Sequence, residues 1–208
     1  MLLSFICLIG NNLIIFVIQI LWGDCLGVEI RHAKLEDYKY ISKISKELHT
    51  FHIKNRPDVY KEVNKTIYKS YFKELLSDNN VEIIVITKNK KIVGYTIIRY
   101  IEIKNIDLLQ DKFFAYIDEI SIDEKNRREG FGRMLFEYSY DLVKFNGAES
   151  LELGVWSFNE KAIGFYKAMG MVEKNIRMEK KWKNERMSHS LNYEKETVCR
   201  INLQKRNR

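Results

Sequence analysis

The sequence predicts an α/β (α+β) fold in which helices flank a mixed β-sheet. Two β-rich runs, residues 81–87 and 91–103, are joined by a polar tip at residues 88–90, which is typical of an antiparallel hairpin. From Tyr116 onward the chain alternates strand, helix, strand, helix, strand. This order predicts that the two strands around the first of these helices run parallel. A chain of 208 residues is long enough for one domain with a substantial core.

The first half of the chain carries a strand and two helices ahead of the hairpin. Residues 28–33 alternate as in a strand, and a helix is predicted to begin at Leu35. Its apolar residues at helical spacing are Tyr40, Ile41, Ile44 and Leu48. Pro57, the single proline, interrupts the pattern, and a second helix is predicted over residues 64–77. The apolar stripe of this second helix is Ile67, Tyr71 and Leu75.

The second half contains the parallel unit. Residues 116–122 read as a strand, and an amphipathic helix is predicted over residues 131–145. Its inward positions are predicted to be Phe131, Leu135, Tyr138, Leu142 and Phe145. Gly147 supplies a left-handed stop after Asn146. Asn159 is a candidate N-cap for the last helix, which Gly170 ends.

A basic, glycine-containing turn at residues 126–133 connects the strand to the amphipathic helix. A helix N-terminus offers unpaired N–H groups and the positive end of the helix dipole, which together bind phosphate. Gly130 and Gly132 let the backbone approach an anion closely. Two familiar phosphate motifs do not fit, because Leu135 stands where the dinucleotide fingerprint needs a third glycine and the Gly-Lys-Ser/Thr of the P-loop is absent.

Three motifs resemble those of the GNAT superfamily of N-acetyltransferases. Arg127, Gly130 and Gly132 match its Arg/Gln-x-x-Gly-x-Gly/Ala signature. Downstream, residues 151–156 look like the next strand of that family. Residues 159–171 look like its Asn-x-x-Ala-x-x-Phe-Tyr-x-x-x-Gly-Phe helix, with Met171 in place of the usual Phe. The resemblance covers residues from about 28 to 182, and the order and spacing of three motifs are more specific than any one alone.

The resemblance implies a GNAT-like mixed, centrally splayed β-sheet flanked by helices on both faces. It also implies an N-acetyltransferase that moves the acetyl group of acetyl-CoA directly to a primary amine of a small molecule or peptide, without a metal or a covalent enzyme intermediate. A non-catalytic sensor or interaction module that binds an acyl-CoA is the alternative from another functional class.

The family motifs assign roles to particular residues of this chain. Tyr166 stands where the family places the phenol that protonates the leaving thiolate. Backbone groups of Ile120 and Ile122 are expected to bind the pantetheine arm, and the amides of residues 127–133 the pyrophosphate. The expected coenzyme-binding residues are Ile120, Ser121, Ile122, Arg127, Arg128, Glu129, Gly130, Phe131, Gly132, Arg133, Asn159 and Phe165.

The residue that draws a proton from the acceptor amine is left open between Asp118 and Glu119. These carboxylates are adjacent on a strand, so they point to opposite faces and only one faces the acceptor directly. A bulge beside the site would change which one does. In GNAT proteins the connection between the first two helices covers the acceptor, which makes residues 51–60 either a specificity lid or a plain surface loop.

The acidic groups on the acceptor side favour a cationic amine: a polyamine, an aminoglycoside, a lysine side chain or a peptide N-terminus. The net charge of +7 suits an anionic coenzyme, although seven basic against three acidic residues lie in the tail at 183–208. That tail lacks interleaved aromatic residues beyond Trp182 and Tyr193, which argues against a nucleic-acid binder. Whether the chain forms a homodimer is left open.

Neither a disulfide framework nor a metal site is predicted. Cys7, Cys25 and Cys199 are odd in number and widely spaced, and reduced thiols in a cytoplasmic protein are expected. His49 and His52 share a helix face without a third ligand and are interpreted as surface or core residues.

Three segments are predicted along the chain: a hydrophobic stretch at residues 1–27, the acetyltransferase domain at 28–182 and the basic tail at 183–208. Residues 2–22 carry no charge and are long enough to anchor the chain in a membrane if they are retained. The alternative, which we favour, is that translation begins at Val28 and that the stretch is not part of the protein. The intact mass of the native protein decides between them, because a product that carries residues 2–27 contradicts the later start.

Overall fold

Residues 27–181 are described by a computed structural model of the chain. The predicted membrane anchor at residues 2–22, Trp182 and the basic tail lie outside these residues. The chain divides into two units, residues 1–170 and 171–208. The described part of the second unit, residues 171–181, contains no helix or strand. The prediction of a closing strand over residues 177–182 is therefore wrong over 177–181.

The first unit is built on a sheet of five strands. These are β1 (Val28–His32), β2 (Val81–Lys88), β3 (Lys91–Ile103), β4 (Lys112–Ile122) and β5 (Leu151–Leu153). Its helices are α1 (Tyr38–Asn55), α2 (Lys69–Ser77), α3 (Phe131–Phe145) and α4 (Glu160–Ala168), with single 3-10 turns at Leu35–Asp37 and Glu124–Asn126.

The strands follow chain order across the sheet, from β1 to β5. The first four pair antiparallel, and β4 and β5 pair parallel, which confirms the predicted mixed sheet. The β2–β3 hairpin turns through Asn89 and Lys90, both at positive φ. A two-residue turn of this kind matches the twist of the flanking strands.

The core lies on both faces of the sheet. Along β2, Ile83 and Val85 pack with residues of α1 and α2, whereas Ile84 and Ile86 pack with Phe131 and Leu135 of α3. Alternate side chains of a strand point to opposite faces, so β2 contributes to both layers. The prediction of helices on both faces is confirmed.

The sheet opens where β4 and β5 part. β5 pairs only with residues 115–117 of β4, while β4 continues to Ile122 against β3. Within residues 27–181, the last five residues of β4 therefore have no strand beside them on the β5 side, and this is the predicted central splay.

Several predicted details differ from the structure. Tyr40, Tyr71 and Phe145 were placed on inward stripes but are about half exposed. In α3 the buried positions include Phe136 and Val143 instead. Helix α2 begins at Lys69, not at residue 64, and the strand predicted over 151–156 stops at Leu153. Within residues 27–181, no helix has the length and apolar character to span a membrane.

Candidate active site

A cleft of about 390 Å³ lies at the splay between β4 and β5. Helix α1 forms one wall, the loop after α1 contributes to the rim, and α4 forms the opposite wall. The lining residues are Ser45, Leu48, His49, His52, Tyr60, Thr66, Ile117, Asp118, Glu119, Ile120, Leu153, Gly154, Val155, Trp156, Asn159, Ala162 and Tyr166.

A β-bulge separates the two candidate carboxylates. Ile97 of β3 pairs with Glu119 and Ile98 pairs with Ile117, so Asp118 is an extra residue on β4. The Asp118 side chain is exposed and accepts hydrogen bonds from Arg99, with Oδ2 at 3.1 Å from Nε and 3.0 Å from the nearer terminal nitrogen. Glu119 instead lies in the interior wall of the cleft.

The Glu119 carboxylate belongs to a buried hydrogen-bond network. Its Oε1 accepts a hydrogen bond from the hydroxyl of Tyr95, which is fully buried, and Ser45 bonds to it as well. Burial raises the pKa of Glu119 above the ordinary carboxyl value, although Tyr95 and Ser45 act in the opposite direction. A carboxylate with a raised pKa is a better proton acceptor.

Tyr166 extends from α4 into the same cleft and contacts Phe136 and Phe165, with ring centroids 6.2 and 5.3 Å away. Burial raises the pKa of Tyr166 to about 12. The phenol therefore carries its proton at neutral pH, as a general acid must.

The free edge of β4 offers peptide groups to the cleft side. The amide of Asp123 donates to Val93 of β3, so alternate residues Ile120 and Ile122 direct their backbone groups away from β3. The carbonyl of Ile122 accepts a hydrogen bond from Arg127 Nε at 3.0 Å, which agrees with that direction. Ser121 is buried. Among the described residues, no strand lies beside Ile120 and Ile122 on the β5 side, and Arg127 occupies the Ile122 carbonyl.

The turn before α3 has the features of an anion cradle. Among the described residues, none accepts a hydrogen bond from the amides of residues 128–133, and the first turn of α3 carries no acidic side chain. Gly130 and Arg128 both have positive φ, at 87° and 69°. The Glu129 carboxylate forms an ion pair with Lys88, with its Oε2 2.6 Å from Nζ. These unpaired amides fit the diphosphate of a coenzyme A ester.

The other predicted coenzyme residues surround this turn in different ways. Phe131 is buried in the α3 core, and Phe165 lies against Gly132, where an added Cβ would come within 3.9 Å of its ring. Arg133 forms an ion pair with Glu137 one turn along α3, with Nε 3.4 Å from Oε1. Asn159 caps α4, its Oδ1 accepting from the amide of Ala162 at 3.3 Å, which confirms the predicted N-cap.

Several cleft residues were missed by the sequence interpretation. His49 and His52 were treated as surface or core residues but line the cleft, together with Ser45, Tyr60 and Trp156. The spacing of the two histidines on α1 was the available signal. Tyr60 ends the segment 51–60 that was predicted to be either a lid or a surface loop, and Trp156 ends the motif at 151–156. Burial and the neighbouring His49 lower the pKa of His52. Within the described residues, no three His, Cys, Asp or Glu side chains group to hold a metal ion.

Comparison with known proteins bears on the same region. The family model described as "Acetyltransferase (GNAT) family" matches residues 43–171, which include the splay, the turn and α4. The chain belongs to the GNAT acetyltransferase family. Its resemblance to that superfamily, predicted from three motifs, is therefore confirmed.

Two curated relatives carry acetyltransferase names. The "Uncharacterized N-acetyltransferase MJ1207" of Methanocaldococcus jannaschii is 32% identical over 123 residues, which cover 56% of this chain and 53% of that protein. The [Ribosomal protein bS18]-alanine N-acetyltransferase of Salmonella typhimurium is 36% identical over 63 residues, covering 30% of this chain and 43% of that protein. The chain thus spans about half the length of the curated relatives it matches.

The fold also matches solved structures. A mutant of the BH1408 protein from Bacillus halodurans superposes with a TM-score of 0.72 at 27% identity, covering 74% of this chain and 99% of that one. This GNAT-like architecture confirms the predicted fold class.

Proposed function

We propose that the protein transfers the acetyl group of acetyl-CoA directly to a primary amine of a small molecule or peptide. One observation carries the proposal: Glu119 and Tyr166 line a single cleft at the splayed end of β4, and Gly132 of the turn before α3 lies against Phe165, the residue before Tyr166. A proton acceptor, a proton donor and an anion cradle are the groups that amine acetylation requires.

Bound acetyl-CoA supplies an activated thioester as the acetyl donor. The amides of residues 128–133 hold its diphosphate, and the free edge at Ile120 and Ile122 holds the pantetheine arm as an added strand. The N–H of Ile120, which is directed away from β3, would stabilise the negative charge that develops on the thioester oxygen.

Glu119 is the proposed general base. Its position inside the cleft and its raised pKa support this role, whereas the ion pair with Arg99 draws the Asp118 carboxylate outward. Asp118 supplies the bulge that turns Glu119 toward the cleft. Tyr166 donates its proton to the departing sulfur, and Asn159 braces the coenzyme at the start of α4.

Substitution of Tyr166 by Phe tests the proposal, because it removes only the hydroxyl. We expect kcat for thiol release to fall by roughly 10²- to 10⁴-fold, the usual contribution of a general acid. Acetyl-CoA affinity, measured by calorimetry, should change little. Tyr140→Phe is the matched control, since Tyr140 is exposed on α3.

Two results would contradict parts of this proposal. A Tyr166→Phe enzyme with normal kcat would remove Tyr166 from the reaction. Thiol release with none of a panel of polyamines, aminoglycosides, arylalkylamines and peptides, despite acetyl-CoA binding, would favour the non-catalytic acyl-CoA sensor.

A further inference from the structure

The rim of the cleft on the α1 side is an aromatic wall, defined by His49, His52, Tyr60 and Trp156. Tyr60 is its centre, with ring centroids 5.8 Å from His49, 5.0 Å from His52 and 6.1 Å from Trp156. All four residues line the cleft. They come from α1, the loop after it and the segment after β5, so three parts of the chain converge on one aromatic surface.

The aromatic wall is held rigidly. Trp156 Nε1 donates a hydrogen bond to the Tyr60 hydroxyl at 2.9 Å, and the Arg56 guanidinium lies 4.6 Å from the Trp156 ring centroid. Phe158 stacks on Trp156 at 5.9 Å. His49 is fixed as well, its Nε2 lying 2.9 Å from the carbonyl of Lys61. Rigid aromatic rings offer a large contact area to a ligand at little cost in conformational entropy.

The charges of the residues that line the cleft also restrict which acceptor amines can bind. Asp118 and Glu119 are the two carboxylates among the lining residues that the structure describes, and Asp118 is bound by Arg99. Glu119 is therefore the one lining carboxylate without an ion pair among the described residues. Polyamines and aminoglycosides carry several ammonium groups, each of which is costly to desolvate without a partner. The lowered pKa of His52 keeps its ring uncharged at neutral pH, in keeping with an apolar ligand.

We propose that the acceptor is a small aromatic monoamine, whose ring packs on the aromatic wall while its amino group faces Glu119. This inference rests on the proposed acetyltransferase function. The neutral amine nitrogen forms an amide bond to the acetyl carbon as the carbon–sulfur bond breaks. One amine proton passes to Glu119, the sulfur takes the Tyr166 proton, and the products are an N-acetylamine and a free thiol.

The test compares kcat/KM for thiol release across four acceptors: 2-phenylethylamine, spermidine, kanamycin and a peptide with an N-terminal alanine. We expect 2-phenylethylamine to exceed each of the others by roughly tenfold or more, the discrimination that a shaped apolar pocket provides. A higher value for spermidine, kanamycin or the peptide would overturn the inference.

Variants of the aromatic wall provide the second part of the test. Tyr60→Ala and Trp156→Ala should each raise KM for 2-phenylethylamine by about tenfold or more and leave acetyl-CoA affinity unchanged. Tyr68→Ala is the control, because Tyr68 is exposed and does not line the cleft, and its KM should remain within about threefold of the wild-type value. Far-UV circular dichroism and thermal unfolding establish that each variant is folded. An unchanged KM in folded Tyr60→Ala and Trp156→Ala would overturn the proposal.

Equilibrium dialysis of 2-phenylethylamine with the full chain and CoA separates this inference from the proposed function. Binding that depends on Tyr60 and Trp156, without turnover of any amine, would support the aromatic acceptor site and refute the transferase. Turnover of other amines without saturable binding of 2-phenylethylamine would do the reverse.

Discussion

Burial of the Glu119 carboxylate lowers the folding stability at neutral pH, but it also raises the pKa of the proposed general base. Its carboxylate is kept inside the cleft wall by Tyr95 and Ser45, and burial raises its pKa. A carboxyl whose pKa is higher in the folded than in the unfolded protein binds protons more tightly when folded. Folding stability from this group is therefore fully present below the ordinary carboxyl pKa and is lost as pH rises through the higher pKa of the folded protein.

Substitution of Glu119 by Gln should separate these two effects. The Gln oxygen can still accept from Tyr95, while the buried charge is removed. We expect the variant to be at least as stable as wild type at pH 7, with a stability difference that shrinks as pH falls through the raised pKa of Glu119 to the ordinary carboxyl pKa. Its kcat should fall by about 10²-fold or more.

Urea unfolding at several pH values and thiol-release assays provide both measurements for Glu119→Gln. Asp118→Asn is the control, because Asp118 is exposed and pairs with Arg99. A greater loss of activity in Asp118→Asn than in Glu119→Gln would reverse the proposed assignment of the base.

Thr96 is a second residue with an unusual environment. It is fully buried in β3, and its hydroxyl has no hydrogen-bond partner among the described residues. Valine has nearly the same shape and favours strands. Thr96→Val should leave the free energy of unfolding unchanged or raise it by about 1 kcal/mol, because it removes a buried unpaired polar group. Thr87→Val is the matched control.

The Thr87 hydroxyl donates to the carbonyl of Glu29 at 3.4 Å, so that substitution should lower the free energy of unfolding. Chemical denaturation of both variants measures the contrast. Equal losses in the two would mean that the Thr96 hydroxyl contributes a favourable interaction.

At the scale of single elements, the β2–β3 hairpin depends on its turn. Lys90 has φ of 63°, a conformation that costs a residue with a Cβ roughly 1–2 kcal/mol. Lys90→Gly relieves this cost and should raise the free energy of unfolding by about 0.5–1 kcal/mol, after the greater entropy of glycine in the unfolded chain is subtracted.

Lys91→Gly is the control for this turn, because Lys91 is the first residue of β3. Glycine weakens a strand, so Lys91→Gly should be destabilising. Thermal unfolding of the two variants should shift in opposite directions. A lower melting temperature for Lys90→Gly would show that Lys90 makes a favourable contact that outweighs its backbone cost.

Elements with strong local signals were predicted accurately from the sequence. The predicted and observed bounds of α3 coincide at Phe131–Phe145, because glycines at positive φ, Gly130 and Gly147, end the helical pattern on both sides. Less local features were missed. The start of α2 carries no glycine or proline, and Gly154, directly after β5, was interpreted as part of the strand. Phe145 fits the apolar spacing of α3 but is exposed at the end of the helix.

The candidate site was predictable only where residues lie close together in a motif. The turn before α3 and Tyr166 were found in this way. The bulge at Asp118 follows from the register of β4 against β3, and no sequence pattern marks such a register shift. The aromatic wall was missed because Tyr60 and Trp156 are 96 positions apart and meet only through tertiary folding.

On the scale of the folded unit, one sheet supports two cores. Phe72 of α2 belongs to the core on one face and Leu135 of α3 to the core on the other, and both are fully buried. β2 places alternate side chains in each core. Loss of either helix would expose apolar residues of the shared strand, so the two cores should unfold together.

Phe72→Ala and Leu135→Ala test this coupling from opposite faces. Each should lower the free energy of unfolding by roughly 2–5 kcal/mol, the usual cost of a large cavity. Each variant should still unfold in a single transition, with far-UV circular dichroism and tryptophan fluorescence coinciding. Phe145→Ala is the surface control and should change stability by less than about 1 kcal/mol. Separate transitions for the two probes in either core variant would mean that the faces of the sheet unfold independently. If the α3 face unfolded first, the cleft at the edge of β4 would keep its α1 wall and lose the turn before α3.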